Sequence, residues 1–297
     1  MVTLPPEPHD AAEPSRPAGT PGTGAGGFDR TTAAHVQREV AEGFGADAGR
    51  YDRARPTYPA DLVNRIVAAS PGRADSGPYC LDVGCGTGIS ARLFQAAGCR
   101  VLGVDPDPRM AELARQGGTE TEVAKFEDWD SAGRTFDVVV AAQSWHWVDP
   151  VAGVAKAAAV LRPGGRLAVF WNAFDPPKDL REAFAEVYRG VLPDSPGAGF
   201  WSRPAADAYR AGCAKVADSI RQTGAFGEPE EWLSSWARPY TRDEWLDLVP
   251  TTGGFTRQPE AVQRRLLDGL GAAVDAAGGS FTMSYMTIAA TAARLAS

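Results

Sequence analysis

Asp82, Gly84, Gly86 and Gly88 stand together in one short stretch, YCLDVGCGTGISARLF (Tyr79 to Phe94). A strand that runs into alternate glycines makes a tight turn whose backbone can approach a ligand closely, and a helix starting at Ile89 turns free N–H groups toward negative charge. A nucleotide would suit such a turn. The dinucleotide fingerprint, however, places its third glycine three positions after the second, where this chain has Ile89, which counts against NAD and FAD. Asp82 would repel a pyrophosphate and attract an ammonium group, so the ligand presents an amino-acid end here. Asp105 closes the next apolar run, RVLGVD, where a carboxylate can accept both hydroxyls of an unmodified ribose. A ribose and an amino-acid end together describe S-adenosylmethionine.

Methyl transfer from a sulfonium is an in-line displacement, helped most by alignment of the reacting atoms and further by a positioned base. His146, in AAQSWHWVD just past an apolar run, is the natural candidate base, because ligands of open α/β sheets lie beyond the strand ends and an ordinary imidazole titrates near pH 6.5. The alternative is an imidazole packed and hydrogen-bonded below the site. Gln143 suits a cofactor or positioning contact. Trp145, Trp147, Trp171 and Trp201, with Phe174 and Phe200, fall near the same end of the sheet, and an aromatic-lined pocket would suit a flat acceptor and hold a sulfonium by cation–π attraction. Most of these rings are expected to be core. Trp232, Trp236 and Trp245 read as packing residues between sheet and helix.

The elements that must position these residues follow from periodicity. From Tyr79 short apolar runs alternate with helical patterns: YCLDV, a helix from Ser90, RVLGVD, a helix from Arg109, a short strand near Val123, FDVVVAAQ, a helix from Val151, and GRLAVFWN. Near-continuous apolar strands alternating with helices predict a parallel sheet covered on both faces, an α/β fold. Pro177 to Thr223 reads as helices with Leu180, Phe184, Val187, Tyr188 and Val191 on one face, too long for a crossover and expected to be a helical cap insertion over about 177–223. Strand-like EEWLSSWARPYT, helical EAVQRRLLDGLGAAV and a last strand, SFTMSYMTIAAT, complete the chain. Ahead of the sheet, Val36, Val40 and Phe44 repeat every four residues and predict a helix, and another runs from Pro59 to about Ala69. Residues 1–27, rich in Pro, Gly, Ala and Thr, predict a disordered tail, with a single domain over 28–297.

Composition narrows the partners. A net charge of −7 disfavours a nucleic-acid groove or an anionic membrane surface, so a small molecule is the expected partner. There is no long apolar run and no signal-peptide pattern, which predicts a soluble cytoplasmic protein. Cys80, Cys85, Cys99 and Cys213 lack paired CxxC spacing, and with three histidines no metal site is expected.

The motifs LDVGCGTG, GVDPDP, FDVVVAAQSWHWVD and VLRPGGRLAVFW, in this order, make the chain resemble class I S-adenosylmethionine-dependent methyltransferases of the small-molecule type, closely over about Phe44 to Asn172. The resemblance implies a Rossmann-like seven-stranded sheet with its last strand antiparallel. It implies that Asp82, Gly84 and Gly86 meet the methionine part, Asp105 the ribose, and Phe126 and Glu127 the adenine, with Gly88 and Pro106 also at the cofactor. Lys125 departs from the acidic residue often found just before that adenine segment. In resembling enzymes the N-terminal segment, here about 31–60, closes over the cofactor. That implies Tyr51 near the sulfonium and Arg55 at the cofactor carboxylate, although Arg53 and Arg55 also suit a solvated helix start. His35 would lie on this segment, facing the acceptor or exposed. An aromatic specialised metabolite, with indoles among the candidates, is the expected acceptor. A nucleotide-dependent oxidoreductase and a non-catalytic S-adenosylmethionine-binding protein are the alternatives.

Overall fold

The computed structural model describes residues 44–72, 77–193, 199–201 and 205–296. The expected tail, His35, Val36 and Val40 lie outside the described residues.

Seven strands form one sheet in the order β3-β2-β1-β4-β5-β7-β6. They are β1 (Tyr79–Val83), β2 (Arg100–Asp105), β3 (Glu120–Val123), β4 (Phe136–Ala142), β5 (Leu161–Asp175), β6 (Glu230–Thr241) and β7 (Ser280–Ala293). The first five pair in parallel, and β7 runs antiparallel between β5 and β6. This is the α/β, Rossmann-like arrangement that the alternating runs predict. Every residue of β1 and β4 is buried, as strands covered on both faces require. The edge strand β6 instead alternates between buried and exposed positions.

Helices fill the expected places, and their starts are written in local chemistry. Before the sheet come a 3-10 turn at Phe44–Asp47, α1 (Ala48–Ala54) and α2 (Ala60–Ala68). Within it, α3 (Ile89–Ala96) follows the glycine turn, α4 (Pro108–Gln116) starts where the Asp107 side chain accepts from the Arg109 N–H, and α5 (Pro150–Val160) starts where Asp149 accepts from Val151 and Ala152. Asx caps followed by proline at the first helical position satisfy orphan N–H groups and preset the backbone. Further along lie α6 (Lys178–Val191), α7 (Ala206–Thr223), α8 (Arg242–Leu248) and α9 (Glu260–Ala276). Of the segment expected as a cap, α7 lies on β5 and β7 as a sheet-covering helix, whereas α6 pairs with α9. The length of this connection therefore serves two layers.

The order of β1 and β4 sets the location of the site. β1 leads outward to β2, and the chain later returns to β4 on the other side of β1, opening a crevice beyond the C-terminal ends of these strands.

Candidate active site

At the end of β1 the chain turns through Gly84, whose φ of +65° lies in the left-handed region. A Cβ here would sit 2.5 Å from Ser144 Cβ, so the close approach of the two loops also requires glycine. The Ser144 hydroxyl donates to the Val83 carbonyl at 2.5 Å and ties the loop after β4 to the loop after β1. Asp105 pins the turn from the other side: its carboxylate accepts from the Gly86 N–H at 2.8 Å and from the Asp107 N–H at 2.9 Å.

Asp82 is fully buried, and one of its oxygens accepts from the Ser90 hydroxyl at 2.6 Å while Oδ1 has no partner. Burial pushes its carboxyl up to about 7, against the hydrogen bonds of the Ser90 hydroxyl and the Ala91 N–H and with the charge of Asp105 adding to the rise. Asp105 is itself lifted to about 6 by burial, held back by the Asp107 and Gly86 N–H groups. A buried carboxylate oxygen with no donor is costly to ionise, and an ammonium group placed there would meet it.

Gln143 follows β4 with φ +60°, rare for a residue other than glycine and a strain of roughly 1–3 kcal/mol. Its N–H donates to the Phe170 carbonyl at 2.9 Å, and its side-chain Oε1 is buried without a partner. A short 3-10 turn, Trp145–Trp147, then carries His146. The Trp171 indole N–H donates to His146 Nδ1 at 3.4 Å, so Nε2 carries the proton of a neutral ring. Burial, with the charge of Arg55 added, pushes this imidazole down to about 3. Enclosure by protein disfavours the charged form, which favours the packed, hydrogen-bonded imidazole of the two readings over a base titrating near 6.5.

The segment ahead of the sheet lies across both sides of the crevice. A Cβ on Gly45 would fall 2.1 Å from Asp107 Oδ2, so this turn rests against the loop after β2. On α1, Asp52 pairs with Arg92 of α3 at 2.6 Å, while Arg50 and Arg53 both reach Asp247 of α8, at 3.1 Å and 2.9 Å. Arg55 donates to the Thr251 carbonyl at 2.6 Å, and its guanidinium lies 4.8 Å from the Tyr51 ring centre.

Arg55, Gln143, Asn172, Trp201, Trp245 and Tyr285 line a cleft of about 20 Å³ beyond the ends of β4 and β5. That is room for one or two water molecules, so a larger occupant needs the walls of the cleft to move apart. Its wall is an aromatic cluster in which Trp201 stands 5.6 Å from Phe174, 5.3 Å from Phe184 and 6.2 Å from Trp245. Asn172 is buried and ties the segment to the sheet, donating to the Thr57 carbonyl at 2.9 Å and accepting from Thr287 at 2.6 Å.

The structure therefore brings Asp82, Gly84, Gly86, Gly88 and Asp105 together beside α3, with Pro106 exposed on the following turn. Phe126 is buried against Trp145, ring centres 6.1 Å apart, and Glu127 accepts from the Asp149 N–H at 2.7 Å, at the start of α5. Of the four tryptophans expected at the acceptor, Trp201 lines the cleft. Trp145 and Trp171 are buried in the core, and Trp147 lies beside His146 at 4.6 Å. Trp245, expected as packing, is packed against Phe184, Trp201 and Phe281 and also lines the cleft. Ser90, Asp107 and Asn172 fall outside the expected site residues; the Asx cap ahead of Pro108 is the one local signal that points to any of them. Among the described residues no group of His, Cys, Asp and Glu could hold a metal ion, and no helix is long and apolar enough to cross a membrane.

The methyltransferase-domain family matches residues 81–169. An uncharacterized methyltransferase of Mycobacterium tuberculosis (strain ATCC 25618 / H37Rv) is 37% identical over 235 residues, 78% of this chain and 85% of the relative. The 27-O-demethylrifamycin SV methyltransferase of Amycolatopsis mediterranei (strain S699) is 32% identical over 207 residues, 66% of this chain and 70% of the relative. A solved structure from Anaeromyxobacter dehalogenans, a protein of unestablished activity classed with type II methyltransferases, superposes with a TM-score of 0.60 at 22% identity, covering 82% of this chain and 99% of that one.

Proposed function

Because the chain belongs to the class I S-adenosylmethionine-dependent methyltransferases, we propose that it methylates a small, flat acceptor seated in the aromatic cleft. When bound, S-adenosylmethionine supplies a methyl group on positively charged sulfur, which leaves as a neutral thioether while the acceptor's electron pair takes the methyl. The observation that carries the cofactor assignment is the buried Asp82, with one oxygen held by Ser90 and the other without a donor, beside a glycine turn. In this reading Asp82 receives the ammonium group, the backbone at Gly84 and Gly86 lies along the methionine part, and Asp105 receives the ribose hydroxyls. Phe126 and Trp145 flank the adenine side.

The chain's own contribution to the chemistry is alignment and exclusion of water. Tyr51 and the rest of α1 close the crevice, and Gln143 projects its amide at the junction of the two subsites. His146 acts as a neutral hydrogen-bond donor through Nε2 and a positioning group, not as a proton acceptor. The named activity of the Amycolatopsis relative supports a small-molecule acceptor, and the ring-lined cleft supports an aromatic one. The acceptor belongs to specialised metabolism and the enzyme to the cytoplasm. Calorimetric titration of the full chain with S-adenosylmethionine, S-adenosylhomocysteine and NADH tests the reading. Binding of the first two without the third is expected; binding of NADH alone would overturn it.

A further inference from the structure

Two of the residues that line the aromatic cleft carry buried hydrogen-bond donors with nothing to receive them. Trp201 and Trp245 both line it and are almost fully buried, and the indole N–H of each lacks an acceptor. Indole has a donor and no acceptor to offer, and a buried donor left unmet costs free energy that a ligand oxygen can recover. The Tyr209 hydroxyl on α7 is likewise buried without a partner; burial pushes its pKa well up, opposed by the charge of Arg55. Gln143 is the mixed case, since an amide carries both a donor and an acceptor. Among the described residues Arg55 is the cation of the lining, and no Asp or Glu lines it. In a chain of net charge −7, a chamber with a guanidinium, two waiting indole donors and no carboxylate is a local selection for negative charge.

Resting on the reading of this cleft as the acceptor chamber, we propose that the methyl acceptor is a small organic anion, a carboxylate on a flat unsaturated framework, whose oxygens seat against Arg55 and the indole N–H groups of Trp201 and Trp245. The rings of Phe174, Trp201 and Tyr285 hold the framework, and the carboxylate replaces the missing acceptors. Arg55 thereby serves the acceptor and not the carboxylate of the cofactor.

The test uses the full chain saturated with S-adenosylhomocysteine, titrated calorimetrically with two matched pairs, indole-3-acetate against indole-3-ethanol and benzoate against benzyl alcohol. The carboxylate of each pair should bind about tenfold tighter or more, the scale of one charge-assisted hydrogen bond. Arg55→Met and Trp245→Phe should each remove most of that preference while leaving S-adenosylhomocysteine affinity within about threefold, with the neutral probes unaffected. Trp245→Phe deletes the N–H together with the five-membered half of a buried indole, so it should melt somewhat below the wild type, and its carboxylate preference is read on protein that still binds S-adenosylhomocysteine. Equal binding within the pairs, no binding by either carboxylate, or a preference that survives both variants would overturn the inference while S-adenosylhomocysteine binding left the proposed function standing. A loss of S-adenosylhomocysteine affinity beyond about tenfold in Arg55→Met would return Arg55 to the cofactor and overturn it too. Failure of the wild type to bind S-adenosylhomocysteine would bring down the proposed function and this inference with it.

Discussion

Replacing Asp82 with Asn is expected to stabilise the ligand-free protein while abolishing its affinity for S-adenosylmethionine. Burial lifts the Asp82 carboxyl from 3.8 to about 7, and each tenfold change in proton affinity corresponds to about 1.4 kcal/mol. An acid whose pKa is raised by folding holds more protons folded than unfolded, so its contribution to stability falls as pH rises from about 4. The full cost, roughly 4 kcal/mol, is reached above about pH 7. Asn carries no charge over this range, and its carbonyl can still accept from Ser90. Its amide N–H2 takes the place of the partnerless oxygen, and an unmet buried donor costs roughly 1–3 kcal/mol. The difference leaves the variant about 1–3 kcal/mol more stable near pH 8, or roughly 2–10 °C in Tm for a domain of this size, with the gain vanishing towards about pH 5. Thermal melts followed by circular dichroism across that range, with and without S-adenosylhomocysteine, measure both effects. The ligand should raise the melting temperature of the wild type and leave the variant unmoved. A variant that melts below the wild type near pH 8, or equal ligand-induced changes in melting temperature in both proteins, would refute the assignment of Asp82 as a carboxylate kept unpaired for a cation.

Four further outcomes are expected. Cofactor affinity should climb as pH rises through about 6 to 7, where Asp105 and then Asp82 ionise, and fall above roughly pH 8 as a ligand α-amino group loses its proton; titration at stepped pH reads both limbs, and a flat profile counts against both carboxylates. Asp105→Ala removes the acceptor for the Gly86 and Asp107 N–H groups as well as the proposed ribose contact, and should weaken cofactor binding by about a hundredfold or more; near-wild-type affinity sinks the ribose assignment. With its imidazole pushed down to about 3, His146→Gln should lower turnover by less than about tenfold and leave the shape of the pH–rate profile unchanged. A wild-type limb near pH 6.5 that disappears in this variant would restore the general base. Asp247→Ala releases Arg50 and Arg53, exposed pairs worth about 0.2–1 kcal/mol each; stopped-flow should show S-adenosylhomocysteine leaving severalfold faster, more so at low salt than at high, and an unchanged rate would remove α8 from the closure.

What can be read from the sequence follows the range of the interactions involved. Asp82 and Asp105 are legible because strand ends can be found from apolar runs, and the end of a strand in an open α/β sheet is where a ligand lies. Gly84 is legible as a turn, although its real constraint, the Ser144 side chain, is set by a loop that follows a different strand. Trp245 reads as packing in the sequence because its position near the cleft depends on how α8 packs against the rings of Phe184 and Trp201, which no local pattern encodes. The same holds for His146: its place beyond β4 is legible, but its proton affinity is a property of enclosure. Pro177 to Thr223 carries a clear helical pattern, and its division between a sheet-covering helix and a partner of α9 belongs to tertiary packing alone.

The segment around α1 touches the loop after β2 through Gly45, α3 through Asp52, α8 through Arg50 and Arg53, and the aromatic cleft through Arg55. One short piece of chain thus touches both walls of the crevice at once. On the proposed roles, retuning the enzyme toward a new acceptor through the residues of α1 that flank Arg55 will not be modular, because Arg50, Asp52 and Arg53 are the ones that tie this segment across the crevice. If α1 serves both roles proposed for it, directed evolution of this protein should find its productive changes in pairs, one on α1 and a compensating one on α8 or the Val249–Thr251 turn.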